Sequence, residues 1–156
     1  MPYLIDGHNL IPKMGLKLAD LDDEMQLIEL LQAICRLQQS RVEIYFDGAN
    51  PGQSSRRDFG RVIAHFVRKG NTADAAIEMR LRKLGRDART WSVVSSDKRV
   101  QSAAREVHAK ALSSDEFARL VAQANMAQSL QKKADGNLSE ADVSEWMDLF
   151  NTPNNE

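Results

Sequence analysis

The chain has 156 residues, 28% of them charged and 42% hydrophobic, with one cysteine and a formal net charge of −1. That length predicts a single domain with its own core, and the composition excludes a disordered, collagen-like or disulfide-framework protein. Cys35 has no partner for an internal disulfide, no apolar run approaches membrane-spanning length, and Asp6 interrupts the first apolar stretch. The expected location is the cytoplasm, with no leader and no membrane partner.

Pro2–Ile5 is a short apolar run ending at Asp6-Gly7, the pattern of a buried parallel strand. Leu21, Met25, Ile28, Leu31 and Ile34 recur at helical spacing, so Asp20–Gln39 is a predicted helix with acids in its first turn. Arg41–Phe46, rich in β-branched and aromatic residues, is the second predicted strand, and Ala49–Arg57 a turn-rich loop. Arg61–Val67 reads as a third strand, and Thr72 caps a helix from Ala73 to about Leu84. Thr90–Ser95 follows as a fourth strand, Asp97–Glu106 as a helix and Val107–Ala111 as a short last strand. Ser113 and Glu116 form a capping box for a helix from Asp115 towards Lys133.

This alternation predicts an α/β fold with a parallel sheet and helices on both faces. Residues 1–133 form the expected domain, and residues 134–156 a linker and a C-terminal amphipathic helix. Val143, Trp146, Met147 and Phe150 give Ser139–Phe150 one apolar face, expected to pack on the chain's own sheet.

Asp6, Asp47, Asp74 and Asp97 mark the carboxyl edge of that sheet, where open α/β folds bind their ligands. Each has an ordinary explanation alone. Asp6 and Asp47 precede glycines as turn residues do, Asp74 suits a helix first turn, and Asp97 suits an N-cap. Four together on one edge point instead to a site, because gathered carboxylates repel one another unless a cation sits among them. Hard oxygen ligands favour Mg²⁺ or Mn²⁺. Glu78 lies one turn after Asp74 on the same helix face, although Arg82 stands ready for an ordinary ion pair with it. Asn9 and the hydroxyls of Ser95 and Ser96 could orient waters or outer ligands. His8 lies near enough to touch a phosphate, whereas His65 and His108 fall on predicted strands as structural residues. The chain has neither a glycine-rich phosphate loop nor a Cys/His zinc pattern.

Charge is unevenly spread. Residues 1–55 carry 4 Lys/Arg against 8 Asp/Glu, residues 56–110 carry 14 against 6, and residues 111–156 carry 3 against 8. The middle third, at +8, suits a polyanionic partner. Arg56 and Arg57 follow the second strand, and Lys98 and Arg99 follow Asp97 directly, all four close to the acidic edge. Cations at a helix start oppose its dipole, which favours a role in backbone phosphate contact. Arg80, Arg82, Lys83, Arg86 and Arg89 are expected to extend this rim.

The motifs Leu4-Ile-Asp-Gly-His-Asn-Leu10, Phe46-Asp-Gly48, Asn71-Thr-Ala-Asp-Ala-Ala-Ile-Glu78 and Val94-Ser-Ser-Asp97 resemble those of NYN domains. These are PIN-like metal-dependent ribonucleases, and the YacP-like branch is the most similar. The resemblance covers about residues 1–125. It implies a PIN-like three-layer fold, a divalent ion and endonucleolytic cleavage of RNA. It assigns catalytic and metal-binding roles to Asp6, Asp47, Asp74 and Asp97, with Asn9 and Glu78 in support. Ser96 joins them as a supporting residue by its position. The expected partner is single-stranded RNA, with the ribosome a further candidate, and the chain is expected to be a monomer or weak homo-oligomer. The competing reading is a catalytically weak or inactive RNA- or ribosome-binding module of the same fold. A phosphatase or phosphoacceptor domain also places acids at strand ends, but the haloacid-dehalogenase pattern needs an acid where this chain has His8.

Overall fold

The computed structural model describes residues 1–16, 21–49 and 55–134. The Ser139–Phe150 segment and most of the 49–57 loop lie outside the described residues. Six strands form one sheet: β1 (Tyr3–Asp6), β2 (Val42–Ala49), β3 (Arg56–Phe59), β4 (Val62–Arg68), β5 (Ser92–Val94) and β6 (Lys110–Leu112). Their order is β3-β4-β2-β1-β5-β6, and every neighbouring pair is parallel except β3 with β4. β3 was not expected. Arg56-Arg57-Asp58 has no apolar alternation to mark it, and it pairs through a tight turn at Gly60, whose φ is +79°. A charged edge strand also resists pairing with another chain.

Alternation along the strands divides the core. Tyr3, Ile5, Ile44, Phe46, Phe66 and Val94 face α2 (Leu21–Gln38) and α5 (Ser114–Ala134), which bury Leu27, Leu31, Ile34, Phe117 and Val121 against them. Leu4, Tyr45 and Val93 face α3 (Ala73–Leu84) and α4 (Lys98–Glu106), which supply Ile77, Leu81, Val100 and Ala104. The result is the expected three-layer α/β fold with helices on both faces. Cys35 is buried as a core residue, and among the described residues no helix is long and apolar enough to cross a membrane.

Connections from β1 run through α2 on one face to β2, whereas β5 is reached through α3 on the other. The order reverses at β1, so the crevice of the sheet opens at the carboxyl ends of β1 and β5. Counting in twos from Leu4 puts Asp6 on the α3/α4 face of that edge, whereas a register shift after Phe46 breaks the alternation of β2 before Asp47.

One charge predicted for the rim turns inward. Arg80 of α3 makes a bidentate pair with Glu43 of β2, at 2.9 and 3.0 Å, and lies over the Trp91 ring. Burial alone would raise the Glu43 carboxyl, but contacts with His65 and Arg80 outweigh it and hold it at about 2. The nearest His65 approach, Nε2 to Glu43 Oε1 at 3.6 Å, is an ion-pair distance and too long for a hydrogen bond. His65 is instead fixed by stacking on Tyr45, with ring centroids 4.6 Å apart.

Candidate active site

The acids approach one another at the switch point because β1 stops there and two helices start there. Asp6, the last residue of β1, is only 7% exposed. Gly7 follows as the first residue of a short helix, α1 (Gly7–Leu10), and a 3-10 turn over Ile11–Met14 completes the exit from the sheet. Burial pushes the Asp6 carboxyl up to about 7, and a hydrogen bond and repulsion from Asp74, with the more distant charge of Asp47, push the same way. Asp74 stands in the first turn of α3, whose N-cap Thr72 accepts from Ala75 N at 3.1 Å. Its carboxyl is also raised, by burial first and then by Asp97, while the bond to Asp6 opposes the shift. A hydrogen bond between two carboxyls needs a proton, and this raised pair shares it.

Asp97 fills the role of an ordinary N-cap: its Oδ1 accepts from Arg99 N at 2.8 Å at the start of α4. It also touches Asp74, so the cap and the site share one residue. Asp6, Asp74 and Asp97 therefore form a contiguous row. Asp47 stands apart from that row and is bound by His8, whose Nδ1 lies 2.7 Å from Asp47 Oδ1. His8 is raised by Glu24 first and by Asp47, against burial; its Nε2 is 3.8 Å from Glu24. His8 thus contacts carboxylates on both sides.

Asn9 and Ser96 act through the backbone. Asn9 Oδ1 accepts from Ser96 N at 3.0 Å and from Ser114 Oγ at 2.9 Å, and Ser96 Oγ accepts from Ser114 N at 3.2 Å. These bonds span the crevice and tie α1, the β5–α4 loop and the start of α5 together. Ser95 Oγ accepts from Asp97 N at 3.0 Å and holds the same loop. Glu78 faces neither Asp6 nor Asp97 in any hydrogen bond; it makes a bidentate pair with Arg99 at 2.8 and 3.0 Å. Sequence reading missed Glu24 and Ser114, which lie far along the chain from His8 and Asn9. The only sign of Ser114 was its place beside the Ser113 cap.

The cationic residues separate as well. β3 alternation puts Arg56 on the face of His65, and therefore of Tyr45, and puts Arg57 on the opposite face, where its guanidinium lies 5.2 Å from the Phe59 ring. Lys98 and Arg99 remain exposed beside Asp97. The carboxylate oxygens suit a hard divalent ion, although the acids meet in pairs. Among the described residues, no group of three or more His, Cys, Asp or Glu forms a ready-made cage. Mg²⁺ keeps several of its waters at such sites and needs no full protein cage.

The three-layer α/β architecture with this strand order is a PIN-like fold. The chain belongs to the YacP-like NYN domain family, whose model matches residues 3–149, and so to a class of RNase-type domains. Its fold is similar to that of Rae1 (YacP) from Bacillus subtilis. The W164L mutant of that protein has a TM-score of 0.68 at 21% identity, covering 94% of this chain and 98% of the other. A second Rae1 (YacP) crystal structure from the same organism has a TM-score of 0.65 at 24% identity, covering 93% and 86%. Comparison with curated proteins gives no match.

Proposed function

We propose that this protein is a Mg²⁺- or Mn²⁺-dependent endoribonuclease that hydrolyses phosphodiester bonds of single-stranded RNA. The observation that carries this reading is the placement of three acids at the switch point: Asp6 at the end of β1, Asp74 in the first turn of α3 and Asp97 at the N-cap of α4. Asp6, Asp74 and Asp97 would hold the ion, with Asp47 beside them. When bound, the ion supplies an activated water and stabilises charge on the phosphate. Asp6 and Asp74 orient the attacking water, and Asn9 and Ser96 keep the Asp97 loop in register. Arg99 and Lys98 offset the repulsion between the acids and the incoming phosphate. The +8 charge of residues 56–110 supports a polyanionic substrate in the cytoplasm.

Purified protein should cut a single-stranded RNA in Mg²⁺ or Mn²⁺, lose that activity in excess chelator and regain it when the ion is restored. Cleavage that continues in chelator would overturn the metal mechanism. Metal-dependent binding without cleavage would establish the binding-module reading in its place.

The faces of β3 make a finer prediction. Arg56→Ala should flatten the salt dependence of RNA binding by ~0.7 in slope, the effect of one phosphate contact on a single strand, and Arg57→Ala should leave it unchanged. Equal slopes for the two variants, measured by fluorescence anisotropy, would place the RNA path off this face.

A further inference from the structure

Between α3 and α4, one turn below Asp74, lies a hollow of about 250 Å³ whose walls include Glu78, Arg82, Arg99, Ala103, Glu106 and Val107. Its walls combine three kinds of chemistry. Ala103 and Val107 give it apolar surface, Arg82 and Arg99 bring two guanidinium groups, and Glu106 brings a carboxylate. We infer that this hollow is a subsite for a single nucleobase of the RNA next to the cleaved bond, and that it prefers guanine. This assignment rests on the RNA-cleaving reading of the acids above.

Arg99 links the hollow to the acidic row. Its backbone caps onto Asp97, and its side chain, 66% exposed, is held by Glu78, which is only 16% exposed. A half-buried acid thus fixes the direction of an exposed cation at the boundary between the two sites. Glu78 in the wall of the hollow is one helical turn, ~5.4 Å along α3, from Asp74, and Arg99 is two residues from Asp97, so the hollow adjoins the acids. Splayed bases of single-stranded RNA stack on flat guanidinium groups and are read along their hydrogen-bonding edges.

Glu106 supplies the reading edge. It is the last residue of α4, where a negative charge opposes the dipole, just as Lys98 and Arg99 oppose it at the start. Asp97 and Arg105 carry the favourable sign at those same ends, so Glu106 is marked out by its place in the wall of the hollow and not by the dipole. An ionised carboxylate only accepts hydrogen bonds. Guanine offers it two adjacent donors, N1–H and N2–H. Uracil offers a single N3–H flanked by two carbonyl oxygens that repel the carboxylate.

The test titrates GMP and UMP separately into ¹⁵N-labelled protein and follows the amides of Ser102 and Ala103. GMP should shift these amides with a Kd about tenfold below that of UMP, the effect of one charge-assisted hydrogen bond. Glu106→Ala should bring the two nucleotides within about twofold of each other, and its unchanged melting curve would show that the fold survives. Equal binding of GMP and UMP by the wild type overturns the subsite. So does an unaltered preference in Glu106→Ala, or no shift at these amides up to nucleotide saturation. None of these readouts requires cleavage. A protein that binds GMP here and cuts no RNA would sink the nuclease reading alone, and one that cuts RNA without this preference would sink the subsite alone.

Discussion

Replacing Asp6 by Asn should reduce RNA cleavage by at least about 10³-fold in kcat and at the same time make the metal-free protein more stable above neutral pH. The two effects share one cause. Burial and the neighbouring carboxyls raise Asp6 from 3.8 to about 7 in the folded chain, so the fold prefers this group protonated. Its favourable contribution is complete below pH 3.8 and is lost as the pH rises through about 7. Without metal, wild-type stability should therefore fall between those limits. The loss is on the order of a few kcal/mol, shared with Asp74 through their common proton. Asp6→Asn removes the charge and should flatten that slope, so at pH 8 the variant melts above the wild type. Mg²⁺ should reverse the ranking by stabilising the wild type through binding, with little effect on the variant. Thermal melts at pH 5 and pH 8, with and without Mg²⁺, measure all of this. A variant that melts below the wild type at pH 8, or that keeps its activity, would show that Asp6 is not a charge held for a cation.

Local patterns made much of this site legible. Leu4-Ile5-Asp6 announces a buried strand that ends on an acid, Thr72 announces the start of α3, and Asp97 reads as a cap and is one. Partners brought from other elements were not visible. Arg80 has the sequence context of a surface helix residue, and only the register of β2 under α3 brings Glu43 beneath it. Glu78 could pair with Arg82 on its own helix, yet the packing of α4 against α3 offers Arg99 instead. β3 escaped notice because an edge strand of three charges carries no period-2 signal. His8 is turned onto Asp47 by α1, a helix of four residues with no capping side chain to mark it.

Gly7→Ala should damage both the fold and the site, against what helix propensity alone predicts. Gly7 is the first residue of α1, where alanine would ordinarily gain up to ~1 kcal/mol. A β-carbon there, however, would fall inside contact distance of the Phe46 ring and 3.0 Å from the Tyr45 carbonyl oxygen. Phe46 is fully buried between strands and helices, and the β2 backbone is held by pairing on both sides, so neither can easily yield. Overpacking of this kind costs ~1–3 kcal/mol and exceeds the propensity gain. The expected result is a melting temperature lower by roughly 2–4 °C for each kcal/mol lost. Relief of the clash must move α1 off β2, and α1 carries His8 and Asn9, which hold Asp47 and the Asp97 loop. Cleavage measured well below the melting temperature should therefore fall as well. Gly60→Ala is the matched control. Gly60 has a φ of +79°, nothing lies within 4 Å of its added carbon, and it sits at the β3–β4 turn, so it should lose stability through backbone strain yet keep its cleavage rate. Adding Phe46→Leu to Gly7→Ala makes room for the methyl, and the double variant should be more stable than the sum of the two single losses predicts. Strict additivity, or full activity in Gly7→Ala, would mean that the close approach of α1 to β2 does not set the site's geometry.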